Sequence, residues 1–473
     1  MTGAAKGREP ARVFGVTNRI WIRNGRVVDP VSGRDEKADV FVKDGVIAEI
    51  RPARWGDVVT GLNLPGGVRV LDASGCIVIP GLIDLHVHFR EPGACRKETI
   101  ATGSLAAAKG GYTTVCCMPN TDPAIDDRET LLLVDRRGRD VGLVNLLAAC
   151  AITKGREGRA LTDFASLLET PTRCFELIGK GVCAVSDDGC TVADTALMRR
   201  AAYAAAVCGL PIMDHPENPA YSGGAVNDGL IANRLGLKGI SARAETDIVA
   251  RDIELAEETG AHIHLQHISA RASVDLIRSA KERGVRLSAE TAPHYFALTE
   301  EALLKSGADA KMNPPLRTET DRQAVIEALT DGTIDIIATD HAPHTAADKA
   351  LPIAEAPFGI TGLELGFAIG YTVLVRGGFM TLPALIRRMS TNPARLIGLP
   401  RGSLIEGVAA DLTVVDAERP FIADRDGFVS KGKNTPFDGM RLFGRPRLTM
   451  RGGVLTWSDV QAEFKARRER AFL

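Results

Sequence analysis

The sequence has almost no net charge, no apolar run long enough to span a bilayer and no paired Cys-x-x-Cys spacing, and each absence removes a class of function. A formal charge of -1 over 473 residues gives no electrostatic reason to bind nucleic acid or an anionic membrane. The expected partner is a small molecule. Met1 to Gly15 is rich in Gly, Ala, Lys and Arg but lacks the apolar core of a signal peptide, so the cytoplasm is the expected location. The nine cysteines all fall between Cys76 and Cys208, several of them in apolar strand-like runs such as Cys116, Cys117 and Cys150. That placement predicts reduced core thiols and argues against a zinc ribbon or a disulfide framework.

What is present is an ordinary globular composition, 45% hydrophobic and 25% charged, and a chain long enough for one large barrel plus a smaller domain. Between Val16 and Gly75 short apolar segments are broken by Gly, Asp and Asn, as in Ile20 to Gly25, Asp39 to Gly45 and Val68 to Leu71. These read as strands and hairpins. The same texture returns in Gly407 to Asp416 and Leu448 to Trp457, so both chain ends are expected to build one small β-sandwich from residues 16–75 and 400–458. Residues 1–15 and 459–473 read as tails, the second holding the charged stretch Glu463 to Arg470.

Residues 76–399 alternate strand-like runs with longer Ala- and Leu-rich stretches of helical period, the pattern of repeated β-α units. Eight strands are expected: Ile77 to His86, Thr113 to Met118, Leu143 to Ile152, Val182 to Ser186, Leu210 to Asp214, His262 to His267, Val285 to Ala289 and Ile334 to Thr339. Helices are expected over Thr99 to Lys109, Thr195 to Val207, Ala244 to Thr259, Ala272 to Arg283, Thr320 to Leu329 and Leu382 to Leu396. Eight such units point to a closed (β/α)8 TIM-type barrel, although counting alone also fits an open doubly wound sheet.

The chemistry gathers at the strand ends. His86 and His88, one residue apart on an extended segment, point the same way and can share a metal ion. Arg90 follows on the same face, where its planar fork can hold an anion; the plainer alternative is a surface ion pair with Glu91. His215, His267, His341 and His344 also sit at or just beyond strand ends, the edge where barrel active sites form. Ser186-Asp-Asp-Gly189 closes the fourth strand and Ala338-Thr-Asp-His-Ala-Pro-His344 the eighth. An Asp-Asp-Gly can be simply a turn, but one of its aspartates faces the mouth. On the sixth strand, alternation puts His262, His264 and Gln266 on the face opposite His267, so only one set is expected inside; His267, nearest the rim, is preferred. His294 reads equally as structural. Pro343 and His344 open a polar loop through Lys349 to Pro357 that could close over substrate.

Taken with Met118-Pro-Asn-Thr121, Lys311-Met-Asn-Pro-Pro-Leu-Arg317 and Ala356-Pro-Phe-Gly359, these motifs resemble dihydroorotase, the cyclic-amide hydrolase of pyrimidine biosynthesis in the amidohydrolase superfamily. The resemblance runs from about Ile20 to about Gly453. It implies reversible cyclisation of N-carbamoyl-L-aspartate to L-dihydroorotate at a zinc centre of one or two ions, two favoured. His86 and His88 would hold one ion, His215 and His267 the other, with Asp188 between them; Asp187 stays the alternative bridge. Asp340 would be both ligand and proton shuttle, and Arg90, Asn120, Asn313, His344, Phe358 and Gly359 would bind substrate. The type resembled is the bacterial one, with an aspartate in place of the bridging carboxylated lysine. Pro216, in Met213-Asp-His-Pro-Glu-Asn218, departs from the family pattern and bears on how fully the second site fills. A homodimer and a complex with aspartate transcarbamoylase are the macromolecular partners the resemblance allows. The rival readings are a hydantoinase- or allantoinase-like enzyme and a non-catalytic scaffold for the transcarbamoylase.

Overall fold

The run that begins at Cys76 divides between two sheets. In the computed structural model, which describes residues 19–53 and 68–459, Ile77–Pro80 pairs with Leu412–Asp416 and Arg19–Asp29, whereas Leu82–Val87 begins a separate parallel sheet. The single expected strand from Ile77 to His86 is therefore two. The switch is at Gly81, whose N–H donates to Asp411 O at 2.9 Å. A Cβ on Gly81 would come within 2.3 Å of Thr113 Oγ1 on the neighbouring barrel strand, so only glycine fits where the chain passes from one sheet to the other.

The parallel sheet holds eight strands in order: Leu82–Val87, Tyr112–Cys117, Asn145–Cys150, Ala184–Val185, Ile212–Asp214, Ile263–Leu265, Leu287–Thr291 and Ile336–Ile337. A parallel bridge between Val87 and His341 joins the last strand's exit to the first. His88 N donates to His341 O at 2.9 Å, and the buried Asp84 carboxylate accepts Thr339 N at 3.2 Å. Burial lifts the Asp84 pKa to about 7, although the backbone donors oppose the shift. The ring is a (β/α)8 barrel.

The expected helices form as Ile100–Lys109, Thr195–Cys208, Arg243–Thr259, Arg271–Glu282 and Glu319–Asp331. One more, Arg128–Val141, is not among those expected; it buries Leu131, Val134, Asp135 and Gly138 at helical spacing. It starts where Asp127 accepts Thr130 N at 2.8 Å and ends at Gly142 in the left-handed region. The segment from Leu382 to Leu396 is helical throughout, but its middle, Arg387–Thr391, winds in wider π turns ahead of Pro393, which has no N–H to donate.

Both chain ends meet in the second sheet. Its order is Val454–Ser458, Arg445–Arg451, Leu412–Asp416, Ile77–Pro80, Arg19–Asp29, Arg34–Lys43 and Val46–Pro52, with Arg69–Asp72 also on Arg19–Asp29. Its alternate residues, among them Ile22, Val40, Ile47, Val78, Leu412 and Met450, form their own buried cluster. The remainder of the expected tails, including Glu463 to Arg470, lies outside the described residues; Asp459, at the edge, accepts from Arg447 Nε at 2.7 Å.

Candidate active site

A bulge aims the first two histidines. Along the first strand Asp84 faces Val115 and Val87 faces Cys117, so three steps on one strand match two on the next. Such a bulge turns a side chain without ending the strand. Below it, Ile83 and Leu85 pack with Cys116, Leu147, Met213 and Ile336; above it, His86 and His88 enter the mouth with Asp340. His86 Nε2 lies 3.5 Å and His88 Nε2 3.0 Å from Asp340 Oδ1.

Asp188 is the centre of the group. Its Oδ1 is 3.2 Å from His86 Nε2, 3.5 Å from His215 Nδ1 and 3.9 Å from His267 Nε2, and its Oδ2 is 3.5 Å from His88 Nε2. Asp187 points away: its carboxylate accepts from Thr153 N at 3.0 Å and from Thr153 Oγ1. Of the two aspartates, the fold brings Asp188 to the histidines and makes Asp187 a turn anchor.

Three of these residues are held in unusual backbone. Arg90, His267 and Asp340 have φ of 58°, 36° and 48°, a region costing a non-glycine residue roughly 1–3 kcal/mol. The turn at His267 is why the sixth strand contributes from both parities. His264 and Gln266 face the interior, as His264 Nε2 meets Glu290 Oε2 at 3.1 Å and Gln266 Nε2 meets His86 Nδ1 at 3.2 Å. His267 then swings in at the rim, 2.8 Å from His215 Nδ1. The expectation that one set excludes the other fails for that reason, while His262 ends lower down on Ser288 Oγ.

Three of the four histidines are oriented by a second partner, whereas His267 Nδ1 is buried with no hydrogen-bond partner among the described residues. His86 Nδ1 meets Glu290 Oε1 at 2.7 Å, leaving Nε2 for the centre. His215 is turned the other way, with Nε2 3.2 Å from Glu217 Oε2 and Nδ1 inward. His88 Nδ1 lies 2.9 Å from Asn120 Oδ1, and Asn120 Nδ2 donates to Asp188 Oδ2 at 3.0 Å. Glu290 and Glu217 were not foreseen. Their only sequence signals are an acidic residue at inward parity in an apolar strand, and one two positions after a strand-end histidine.

The electrostatics call for cations. Burial opposes charge on His86, yet Asp188 and Asp340 lift its pKa well above the usual value. Burial likewise opposes charge on His215, but hydrogen bonds to Asp188 and Glu217 raise its pKa to about 10. His267, pressed by burial and by His215 and His86, falls to about 3. Asp188 and Asp340 are held well below the carboxylate range because the histidines outweigh their burial.

The donor set fits zinc. Tetrahedral ligands about 2.0–2.2 Å from an ion lie roughly 3.3–3.6 Å apart. The carboxylate–imidazole separations in His86, His88 and Asp340 are 3.0 and 3.5 Å and in His86, Asp188 and His267 3.2 and 3.9 Å, around that spacing, and the ligand atoms of each trio all lie within 4.8 Å of one another. His215 Nδ1 and His267 Nε2 are nearer to each other, and an ion between them would spread them slightly. His86 Nε2 is buried with no hydrogen-bond partner among the described residues, as a ligand atom would be. The two trios have His86 in common, and Asp188 lies within 3.9 Å of all four histidines, so the residues suit a centre of one or two zinc ions.

Beside it lies the group expected to bind substrate. Arg90 Nε is buried without a hydrogen-bond partner among the described residues, and Glu91 is occupied elsewhere, accepting Ile100 N at 2.9 Å and pairing with Arg137 at 3.6 Å. The surface ion pair with Glu91 does not form. His344 Nε2 donates to Phe358 O at 2.7 Å, while Nδ1 is buried with no hydrogen-bond partner among the described residues. Gly359, at φ 139°, would place a Cβ 2.6 Å from Ala342 O. Asn313 reaches Glu217 Oε2 at 3.0 Å, which ties it to His215. His294 is buried against Tyr295 with ring centroids 4.2 Å apart. His341 sits behind Asp340, its Nδ1 accepting Gly362 N at 3.2 Å and its Nε2 3.5 Å from Glu98.

Comparison with known proteins agrees with this geometry. Residues 75–273 match the family model described as dihydro-orotase-like and residues 235–456 one described as amidohydrolase family. A dihydroorotase of Pelotomaculum thermopropionicum is 46% identical over 93% of this chain and 99% of its own. That of Bacillus caldolyticus is 44% identical over 94% of this chain and all of its own. Among solved structures, L-hydantoinase from Arthrobacter aurescens superposes with a TM-score of 0.79 at 25% identity, over 93% of this chain and 96% of that one. The fold is thus shared with hydantoinases, whereas the much higher identity, sustained over nearly the whole length, is to dihydroorotases. Together with four histidines gathered around Asp188, this shows that the chain belongs to the dihydroorotase family of the amidohydrolase superfamily, in its aspartate-bridged bacterial form.

Proposed function

We infer that the chain catalyses the reversible, zinc-dependent cyclisation of N-carbamoyl-L-aspartate to L-dihydroorotate, the ring-closing step of pyrimidine biosynthesis. The observation carrying this reading is the convergence of His86, His88, Asp188, His215, His267 and Asp340 beside Arg90, whose buried Nε has no hydrogen-bond partner among the described residues. Zinc held by those six side chains would supply Lewis acidity, toward a water to be ionised near neutral pH and toward a carbonyl to be polarised.

The protein's own groups do the rest. Arg90 pairs with the substrate carboxylate through its fork, helped by Asn120 and His344. Asn313, Phe358 and Gly359 contact the ring. In hydrolysis Asp340 takes the proton of the attacking water and delivers it to the leaving ring nitrogen; in cyclisation it works in reverse. Glu290 and Glu217 hold His86 and His215 in opposite tautomers, so that each presents the correct nitrogen.

The discriminating experiment is turnover of dihydroorotate in both directions alongside hydantoin and allantoin, with zinc measured on the same sample. Dihydroorotate turnover is expected; opening of hydantoin or allantoin without it would overturn the reading, and no turnover of any would favour the scaffold. Replacing Arg90 by Met should raise KM for both substrates by about 100-fold, the scale of a lost charge-assisted carboxylate pair. Unchanged KM would remove Arg90 from the carboxylate site. No helix among the described residues is long and apolar enough to cross a membrane. A cytoplasmic location, a homodimer and a complex with aspartate transcarbamoylase belong to this proposal on family likeness.

A further inference from the structure

One side chain outside the mechanism fastens three stretches that bear proposed substrate contacts. Lys349 ends the short helix Ala346–Lys349 in the loop after His344. Its Nζ donates to Ala308 O at 2.9 Å, Lys311 O at 3.1 Å and Pro357 O at 2.9 Å. An ammonium has three donors, and here all three are spent on carbonyls.

The partners are not arbitrary. Lys311 O also accepts Gly359 N at 3.0 Å. Lys311 returns the grip, its own Nζ reaching Ile353 O at 2.7 Å and Ala354 O at 3.1 Å and lying 4.5 Å from the Phe358 ring centroid. Lys311 is two residues from Asn313, Pro357 leads directly into Phe358 and Gly359, and the loop of Lys349 starts at His344. Loop carbonyls left unpaired here would be costly, and a half-buried lysine gains from being satisfied locally. Burial lowers the Lys349 pKa to about 7; Asp309 and Asp348 favour its charge, and Lys311 and Lys97 oppose it. Asp309 is itself engaged, by Arg425 Nη2 at 2.5 Å. The three carbonyls are therefore the groups that hold this cation.

We propose that Lys349 is a positioning residue for substrate binding, its ammonium locking the segments that carry Asn313, Phe358, Gly359 and His344 into one preformed wall of the pocket. The inference rests on the dihydroorotase reading above. Because the clasp touches neither the metal ligands nor Asp340, its loss weakens ground-state and transition-state binding alike, which raises KM and spares kcat.

The test compares zinc-loaded wild type with Lys349→Met and Lys311→Met. It reads KM and kcat for dihydroorotate and N-carbamoyl-L-aspartate, bound zinc, and cleavage within residues 345–357 by thermolysin. Lys349→Met should raise KM by roughly tenfold or more in both directions, with kcat within about threefold of wild type. Zinc should be unchanged and cleavage of the loop faster. An unchanged KM overturns the proposal, as does a joint fall of kcat and zinc content, which would mark a general structural role. If Lys349→Met does not fold, Lys311→Met, which removes the reciprocal bonds, must show the same KM-weighted loss, and a normal KM there overturns the proposal. A wild type that turns over neither substrate would refute the functional reading instead, and loop cleavage would still decide whether the clasp exists.

Discussion

Asp340→Asn is expected to lower kcat by about 100- to 10,000-fold, the range that a positioned proton-transfer group contributes, while most zinc stays bound. The carboxylate Oδ1 stands 3.0 Å from His88 Nε2 and 3.5 Å from His86 Nε2. Asparagine keeps an oxygen at that place and nearly the same shape. What it loses is the ability to take a proton. Burial would make Asp340 harder to ionise, but His86 and His88 outweigh it and hold its pKa well below the ordinary carboxylate value. The base form is then present throughout the neutral range, and acid must be strong before it is lost. The position is also fixed in advance: Asp340 sits at φ 48°, directly after Thr339, whose N–H is pinned by Asp84. A variant with near-normal kcat would refute the shuttle. One that lost zinc in step with activity would reduce Asp340 to a ligand.

The barrel and the place of the site were legible because both follow from local rules. Apolar strand runs at β-α spacing gave eight strands, and histidines at their ends marked the mouth. What could not be read was set by tertiary geometry. The bulge at His86 depends on the neighbouring strand, so the alternation of the first strand resets where nothing in its own sequence says so. His267 breaks parity with a left-handed turn that a histidine rarely adopts. Glu290 and Glu217 have no motif of their own; they matter because another strand brings them to His86 and His215. Lys349 is the clearest case. In sequence it is one more charge on a polar loop, and its meaning lies in three carbonyls 8 to 41 residues away.

Adjacent aspartates with the same side chain should behave oppositely when changed, which makes the pair a sharp test of the metal centre. Asp188→Asn removes the one carboxylate among the described residues that reaches His86, His88 and His215 within 3.5 Å. Neutralising it leaves four crowded histidines without the shared anion, so bound zinc should fall to one ion or fewer. A loss of about 10- to 100-fold in metal affinity is the scale for outer partners, and a bridging ligand should exceed it, taking kcat down with the metal. Asp187→Asn touches no histidine. Its oxygens serve Thr153 N and Oγ1, bonds that asparagine can keep only in part, so stability should drop by about 1–3 kcal/mol with zinc and kcat close to wild type. Elemental analysis, turnover and thermal melting on the two proteins separate these outcomes. Should Asp187→Asn be the variant that empties the site, the bridge would belong to Asp187, and the turn that now anchors it to Thr153 would have to rearrange when metal binds.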